Sequence, residues 1–374
     1  PKTTPDMLNL DIAAFLQTYW QKKPCVIRNA LPDFTDFIDE HELAGLAMEP
    51  ELDSRVISKQ AEQWSVQQGP FEDFSACQGQ WTLLVQGVDR FFDDASELMQ
   101  KFNFIPNWRV DDLMISFAVP GAGVGPHVDQ YDVFLLQGKG SRRWRVGSPE
   151  GLTSTQPVKG LCQVDDFTPV IDCELQPGDI LYIPPGWPHD GVTLSDSLTY
   201  SIGFRAPDQT QLGNYLAEHL QTQSTGAKRY TDPELVLSDS PAEVSRKEVD
   251  ALKDLLHQAI DDDSFSQNLL AMLSEQGIEP EINEPVDSQS LQEHLESGAT
   301  LVKLPGCRPL LNRQFPDCLF INGEVIKFSP ENYPLMCQLM SKADIDRTDM
   351  APAPDKLDIF YTFTTLVNMG YWEL

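Results

Sequence analysis

The sequence predicts an α+β protein built on a central β-barrel or sandwich, followed by a helical region and a small mixed domain. Three observations predict it. From about residue 109 to 206, short apolar runs alternate with Gly and Pro, at the spacing of strands joined by turns. After Pro207 the apolar residues recur at helical spacing. From residue 288 onward the pattern runs helix, strand, hairpin, helix, helix, an order that fits a winged-helix-like domain.

Taken in order, Leu8 to Lys22 predicts an amphipathic helix with Leu8, Ile12, Phe15 and Leu16 on one face, and Asp11 is placed to assist its start. Pro24-Cys25-Val26-Ile27 predicts a short buried strand, and helical stretches follow near 34–47 and 92–102. The barrel strands are Leu113–Val119, Tyr131–Gln137, Arg143–Val146, Ile180–Ile183 and Leu198–Phe204. Val133-Phe134-Leu135-Leu136 is apolar on both faces, as in a strand covered on both sides. Helices are expected at 208–222, 242–260 and 264–276, and 279–290, with Pro280 and Pro285, reads as a linker. The tail predicts a helix at 288–297, strands near 300–304 and 318–327, and helices near 330–341 and 356–369. The division that follows is 1–207, 208–280 and 281–374.

The chain carries 57 acidic against 27 basic residues, a formal net charge of −30. Nineteen of the acids and five of the bases lie between 207 and 300. Such a surface repels phosphate backbones and anionic lipid, so direct nucleic-acid binding is excluded and a basic partner is attracted. Seven cysteines, with no CxxC pair, give no disulfide framework or zinc cluster, which points to a reducing, cytoplasmic setting. No apolar stretch approaches the ~18 residues of a membrane span. Pro1-Lys2-Thr3-Thr4 lacks the charged-then-apolar pattern of a secretory signal.

Two segments carry the chemistry. In Gly121-Ala122-Gly123-Val124-Gly125-Pro126-His127-Val128-Asp129, His127 and Asp129 are one residue apart and share a strand face. In Leu175-Gln176-Pro177-Gly178-Asp179-Ile180-Leu181-Tyr182-Ile183-Pro184-Pro185-Gly186-Trp187-Pro188-His189, a turn, a short strand and a stiff Pro-Pro-Gly exit deliver His189 to the same barrel mouth. Two imidazoles and one carboxylate on one face of a metal leave three positions open, the arrangement of non-haem Fe(II) oxygenases. Zinc, manganese and nickel suit the same donors. His41, His219, His257 and His294 lie on predicted helices and read as ordinary residues.

A third segment, Gly138-Lys139-Gly140-Ser141-Arg142-Arg143-Trp144-Arg145-Val146, turns into a strand whose residues alternate. Arg142, Trp144 and Val146 share the face expected inside the barrel. A guanidinium there needs an anion: the far carboxylate of 2-oxoglutarate, or a core Asp or Glu. Trp144 and Phe134 are read either as keeping a cavity dry or as core packing.

These stretches resemble the JmjC (cupin-like) 2-oxoglutarate oxygenases, and more closely the bacterial ribosomal oxygenases of the ROX type, which are ribosomal-protein arginine hydroxylases. The likeness also rests on Ser116-Phe117-Ala118-Val119-Pro120, Gln130-Tyr131-Asp132-Val133-Phe134, Tyr200-Ser201-Ile202-Gly203-Phe204-Arg205-Ala206-Pro207 and Asn368-Met369-Gly370-Tyr371-Trp372. The resemblance implies a double-stranded β-helix (jelly-roll) barrel, a helical dimerisation region and a C-terminal winged-helix-like domain. It implies Fe(II) on His127, Asp129 and His189, with 2-oxoglutarate and molecular oxygen as co-substrates. Arg142 then takes the 2-oxoglutarate tail, where many relatives have Lys, and Ser116 lies near the same carboxylate. The implied substrate is a basic large-subunit ribosomal protein (the L-sixteen protein), hydroxylated at an arginine β-carbon by a homodimer. Histidine hydroxylation of another ribosomal protein, a metal-binding cupin scaffold without activity, and a metabolite dioxygenase or isomerase stand beside it.

Overall fold

The computed structural model describes residues 8–222, 226, 228–236, 240, 242–282 and 284–374. The reading of Pro1-Lys2-Thr3-Thr4 lies outside them. The chain divides between Ala206 and Pro207 into two compact units.

The first unit opens with α1 (Ile12–Thr18), where the Asp11 side chain accepts from the Ala14 amide at 3.0 Å. The cap is where the sequence puts it, but the helix is shorter than 8–22 because Leu8 to Leu10 precede that cap. β1 (Cys25–Ile27) follows. The stretch read as helix over 34–47 is helical only in α2 (Glu40–Leu46), which starts at a reciprocal Asp39–Glu42 capping box. Phe34 and Phe37, whose spacing mimics a helix face, instead meet the Tyr200 ring at 5.1 and 5.3 Å. Three strands not read from the sequence come next: β2 (Ser54–Gln60), β3 (Gln63–Gln68) and β4 (Gln80–Val85). After α3 (Asp93–Gln100) the barrel strands are β5 (Val110–Ala118), β6 (His127–Val128), β7 (Asp132–Gln137), β8 (Arg142–Gly147), β9 (Ser154–Val158), β10 (Leu161–Val164), β11 (Pro169–Leu175), β12 (Ile180–Ile183), β13 (Pro188–Thr193) and β14 (Ser197–Phe204).

An eight-stranded sheet in the order β1-β12-β7-β14-β5-β4-β2-β3 and a four-stranded sheet β11-β8-β13-β6 form the double-stranded β-helix, and β9 and β10 form a separate hairpin. Side chains alternate across the large sheet. Leu113, Ile115, Phe117, Phe134, Leu136, Tyr182, Tyr200, Ile202 and Phe204 pack on one face with Phe15, Leu43 and Phe102 from the helical segments. Phe134 and Tyr182 sit 5.5 and 5.0 Å from the Phe15 ring. On the other face Val133, Leu135, Leu181 and Ile183 meet Trp144 and Val146 of the small sheet. The two-sided burial expected for Val133–Leu136 is therefore present, and Phe134 is core packing rather than cavity wall.

The second unit contains α4 (Gln209–Thr222), α5 (Arg246–Ile260), α6 (Asp263–Ser274) and α7 (Ser288–Glu296). Then come β15 (Leu301–Lys303), β16 (Leu310–Asn312), β17 (Phe315–Ile321), β18 (Glu324–Lys327), α8 (Tyr333–Leu339), β19 (Asp344–Ile345), α9 (Arg347–Met350), α10 (Lys356–Asn368) and β20 (Trp372–Glu373). β17 and β18 form a tight hairpin because Asn322 and Gly323 both adopt positive φ, 47° and 86°. Leu291, Leu295, Phe363, Leu366 and Trp372 form its core. Within the 279–290 stretch Val286 is held by the Asn368 side-chain amide, which accepts from its N–H at 2.9 Å and donates to its carbonyl at 3.0 Å. No helix among the described residues is long and apolar enough to cross a membrane.

Candidate metal centre and its cavity

Gly125 takes φ +79°, a left-handed turn that leads the chain into β6. Its carbonyl lies 2.9 Å from His127 Nδ1. His189 stands directly across from His127 in the β13–β6 pairing, with the rings 4.2 Å apart. The Trp187 carbonyl lies 3.0 Å from His189 Nδ1. A carbonyl can only accept, so each Nδ1 carries the hydrogen and each Nε2 keeps its lone pair. Those Nε2 atoms lie 3.8 Å (His127) and 3.5 Å (His189) from Asp129 Oδ2. All three donor atoms lie within 4.8 Å of one another, so the structure gathers His127, Asp129 and His189 around one point.

The electrostatics favour a cation there. Burial pushes the His127 pKa down to about 4, and the His189 ring adds to that despite Asp129. Burial works to raise the Asp129 carboxyl, but its interactions with His189, His127 and Tyr131 outweigh burial and hold it below the usual carboxylate range. A neutral His127 and an ionised Asp129 at neutral pH are the protonation states a divalent metal needs. The carbonyl contacts on Nδ1 fix ring orientation, a usual support for imidazole ligands.

The centre opens on a cavity of about 320 Å³ between the two sheets. Arg142 lies at its wall, 4% exposed. Its Nη2 donates to the Gly191 carbonyl at 3.0 Å and its Nη1 reaches Thr199 Oγ1 at 3.5 Å. Its Nε is buried with no partner. Burial lowers its pKa to about 10 against the pull of Asp190, but Asp190 itself is paired with Arg145 at 2.9 Å. Among the described residues no carboxylate forms an ion pair with Arg142, so the core salt bridge left open by the sequence is not there. Its guanidinium stacks 4.7 Å from the Trp144 ring. Gly191 permits this packing, since a Cβ there would meet that ring at 2.6 Å. Ser116, 4% exposed on β5, faces the cavity opposite Thr199 in register, which places it beside the groups around Arg142. Trp144 also lines the cavity.

The sequence reading missed the outer cavity wall. Asp111, Asp112, Met114, Tyr131 and Ser201 all line it, with Arg55 and Gln86 at one side. Burial pushes Asp112 up to about 7, helped by Asp111 and Asp89, although the Gly87 amide donates to it at 2.9 Å. Burial and the Asp129 charge also raise the Tyr131 hydroxyl. Counting back by twos from Ser116 reaches Met114 and Asp112, so strand alternation carried the missing signal. Leu161 of the β9–β10 hairpin packs on Ile57 and Leu84 and closes one flank.

A JmjC domain model matches residues 97–212, and a ROXA-like winged helix model matches 253–373. The ribosomal protein uL16 3-hydroxylase of Escherichia coli is 40% identical over 98% of this chain and 98% of its own length. A probable ribosomal oxygenase of Haemophilus influenzae is 35% identical, covering 83% of this chain and 80% of its own. The crystal structure of the Escherichia coli ribosomal oxygenase YcfD with cobalt and 2-oxoglutarate superposes with a TM-score of 0.87 at 40% identity, over 98% of this chain and 99% of that one.

Proposed function

This chain belongs to the family of JmjC-domain ribosomal oxygenases, and from that premise we propose that it is an iron(II)- and 2-oxoglutarate-dependent hydroxylase of a large-subunit ribosomal protein, acting at an arginine β-carbon. The observation that carries the reading is the pairing, in one cavity, of a three-donor metal site with a buried guanidinium that has no anion of its own. An inert scaffold has no use for that guanidinium, because an uncompensated buried charge is costly.

In this reading His127, Asp129 and His189 hold the iron, and Arg142 takes the far carboxylate of 2-oxoglutarate with Thr199 and Ser116 beside it. When bound, iron with 2-oxoglutarate and molecular oxygen supplies the oxidising power for C–H hydroxylation and yields succinate and CO₂. The chain's own contribution is orientation and exclusion of water. Trp144, Val133 and Leu135 line the inner wall with apolar surface. Asp111 and Asp112 offer carboxylates to a cationic side chain entering from outside, which favours arginine over histidine as the target. A buried carboxylate and a guanidinium stabilise each other as a pair where either alone is penalised.

The uL16 substrate of the Escherichia coli relative fits a chain of net charge −30, since ribosomal proteins of that kind are basic. Residues 1–207 form the catalytic part, 208–280 a dimerisation region and 281–374 the winged-helix part, in a cytoplasmic homodimer. The dimer reading is supported by α5, where Val249, Leu252, Leu256 and Ile260 form an exposed apolar stripe at helical spacing. Replacing Leu252 and Leu256 with Asp should halve the mass in solution, and an unchanged mass would remove this interface.

The test is incubation of the pure protein with uL16, Fe(II) and 2-oxoglutarate, followed by mass spectrometry. The expected result is one added oxygen on an arginine, dependent on both additions. A substrate left unmodified under conditions where 2-oxoglutarate is consumed would count against the ribosomal target, and no consumption at all would count against the oxygenase.

A further inference from the structure

The metal cavity does not end at its acidic wall. A second, polar cavity of about 200 Å³, lined by Asp53, Ser54, Arg55, Gln68, Leu84 and Gln86, shares Arg55, Leu84 and Gln86 with it. Strand register explains the continuity. Gln68 pairs with Arg55 between β3 and β2, Arg55 with Leu84 between β2 and β4, and Leu84 with Ser116 between β4 and β5. One row of side chains therefore runs across four strands from the barrel interior to β3, the outer strand of the sheet. Three inter-strand steps of about 4.8 Å make a path of ~14 Å, the reach of about four extended residues.

Arg55 is the unusual member of that row. It is half-buried, and among the described residues its guanidinium has neither an ion-pair partner nor a hydrogen bond. The other basic residues of this sheet face differ: Lys59, on the same strand, is paired with Glu62 at 2.8 Å. In a chain so rich in carboxylates, a partly buried arginine without one, at the junction of two cavities, is poised for a group that arrives from outside.

We propose that the groove lined by Gln68, Arg55 and Gln86 is a subsite for the main chain of the substrate polypeptide next to its target residue, with Arg55 donating to a main-chain carbonyl. The proposal rests on the hydroxylase reading above and deepens it. Two features select main chain over an acidic side chain. Asp53 shares the groove with Arg55, and Asp111 and Asp112 share the cavity mouth, so an anionic side chain meets repulsion on both sides. The exposed amides of Gln68 and Gln86 each offer donors and an acceptor, the complement of a peptide group. A polypeptide whose side chain enters the metal cavity must leave along its rim, and this is a polar continuation of that rim. The segment then crosses β2 and β4 at a steep angle, on the cavity face of the large sheet.

The test compares wild type with Arg55→Gln and Gln86→Ala on two uL16 fragments, one long and one cut to about four residues around the hydroxylated position. Melting curves of both variants establish folding, and the KM for 2-oxoglutarate serves as an internal control. Arg55→Gln should raise KM for the long fragment about tenfold with kcat within about twofold, the signature of lost uniform binding. Gln86→Ala should do the same more weakly, and neither should move the KM for 2-oxoglutarate. Fragments cut back on the side that occupies the groove should show no difference between wild type and Arg55→Gln. Replacing the flanking side chains with alanine should preserve the Arg55 dependence, and its loss there would overturn the main-chain assignment. An unchanged KM in both variants while wild type hydroxylates the long fragment would overturn this proposal alone. Wild type that hydroxylates neither fragment would overturn the functional reading and this subsite with it.

Discussion

Along β5, Leu113, Ile115 and Phe117 point one way and Asp112, Met114 and Ser116 the other. The same division runs through β14, where Leu198, Tyr200, Ile202 and Phe204 oppose Thr199, Ser201 and Gly203. One face is an aromatic core closed by the N-terminal helices, in which Phe134 touches Phe15, Phe102, Phe104, Tyr182 and Phe204. The opposite face looks onto the cavity, where partners are incomplete: Thr82 Oγ1 of this sheet, and Arg142 Nε and Trp144 Nε1 of β8 across the cavity, are buried and unbonded. The contrast teaches that the same strands gain stability on one side and give some up on the other, as sites built for a ligand do.

Four outcomes bear on this contrast. The largest belongs to the metal end of the cavity face. Asp129→Ala should reduce hydroxylation to background while the melting temperature stays near wild type, because the carboxylate holds no part of the aromatic core. Collapse of the fold in that variant would show that the two faces are not separable. Next, Arg142→Ala should raise the KM for 2-oxoglutarate by roughly 10²- to 10³-fold, the scale of a lost buried ion pair of about 3–5 kcal/mol. Steady-state kinetics at varied 2-oxoglutarate measures it, and an unchanged KM would mean that another residue holds the tail.

The core face should respond in the opposite way. Phe134→Ala should cost ~3–5 kcal/mol in urea unfolding, with the KM for 2-oxoglutarate little changed in the fraction that remains folded. Ser201→Ala on the cavity face should cost less than about 1 kcal/mol. Equal losses would erase the distinction. The smallest effect concerns pH. With Asp112 pushed up to about 7, chiefly by burial, its carboxylate forms as pH rises through that value. The KM for a basic substrate should therefore fall between about pH 6 and 8, and Asp112→Asn should flatten the profile. The stability sign is the reverse. Between the ordinary carboxylate pKa and about 7 the folded state keeps a proton that the unfolded chain has lost, so stability declines across that window as pH rises.

Much of the cavity's inner end was legible in the sequence because its geometry is local. His127 and Asp129 are two positions apart where β6 ends, His189 follows a stiff Pro-Pro-Gly exit, and Arg142 is inside by the alternation that buries Trp144 and Val146. The outer end was less so. β3 reads Gln-Trp-Ser-Val-Gln-Gln, whose alternation rests on two apolar residues alone, and three of the five residues of β9 are polar, so neither is an apolar run of the kind by which the barrel strands were read. Asp112 was passed over because the strand was started at Leu113, three residues late. Phe34 and Phe37 imitated a helix face because tertiary packing on Tyr200 was invisible in a local pattern. In the second unit the helices were found by their apolar period, and α5 begins at Arg246 rather than 242 because the Ser245–Glu248 capping box starts it there. Within the 279–290 stretch, read as a linker, the bonds that hold Val286 come from Asn368, 82 positions away, which no local pattern shows.

Everything at this site depends on His127, Asp129 and His189 binding one metal ion together. Titration of the metal-free protein with cobalt(II), followed by its visible absorption, tests it most directly. Saturation is expected at one ion per chain, with no matching signal in His189→Ala or Asp129→Ala, and with an absorption change when 2-oxoglutarate is added to the wild type. Wild-type saturation in His189→Ala, with the protein folded, would contradict it.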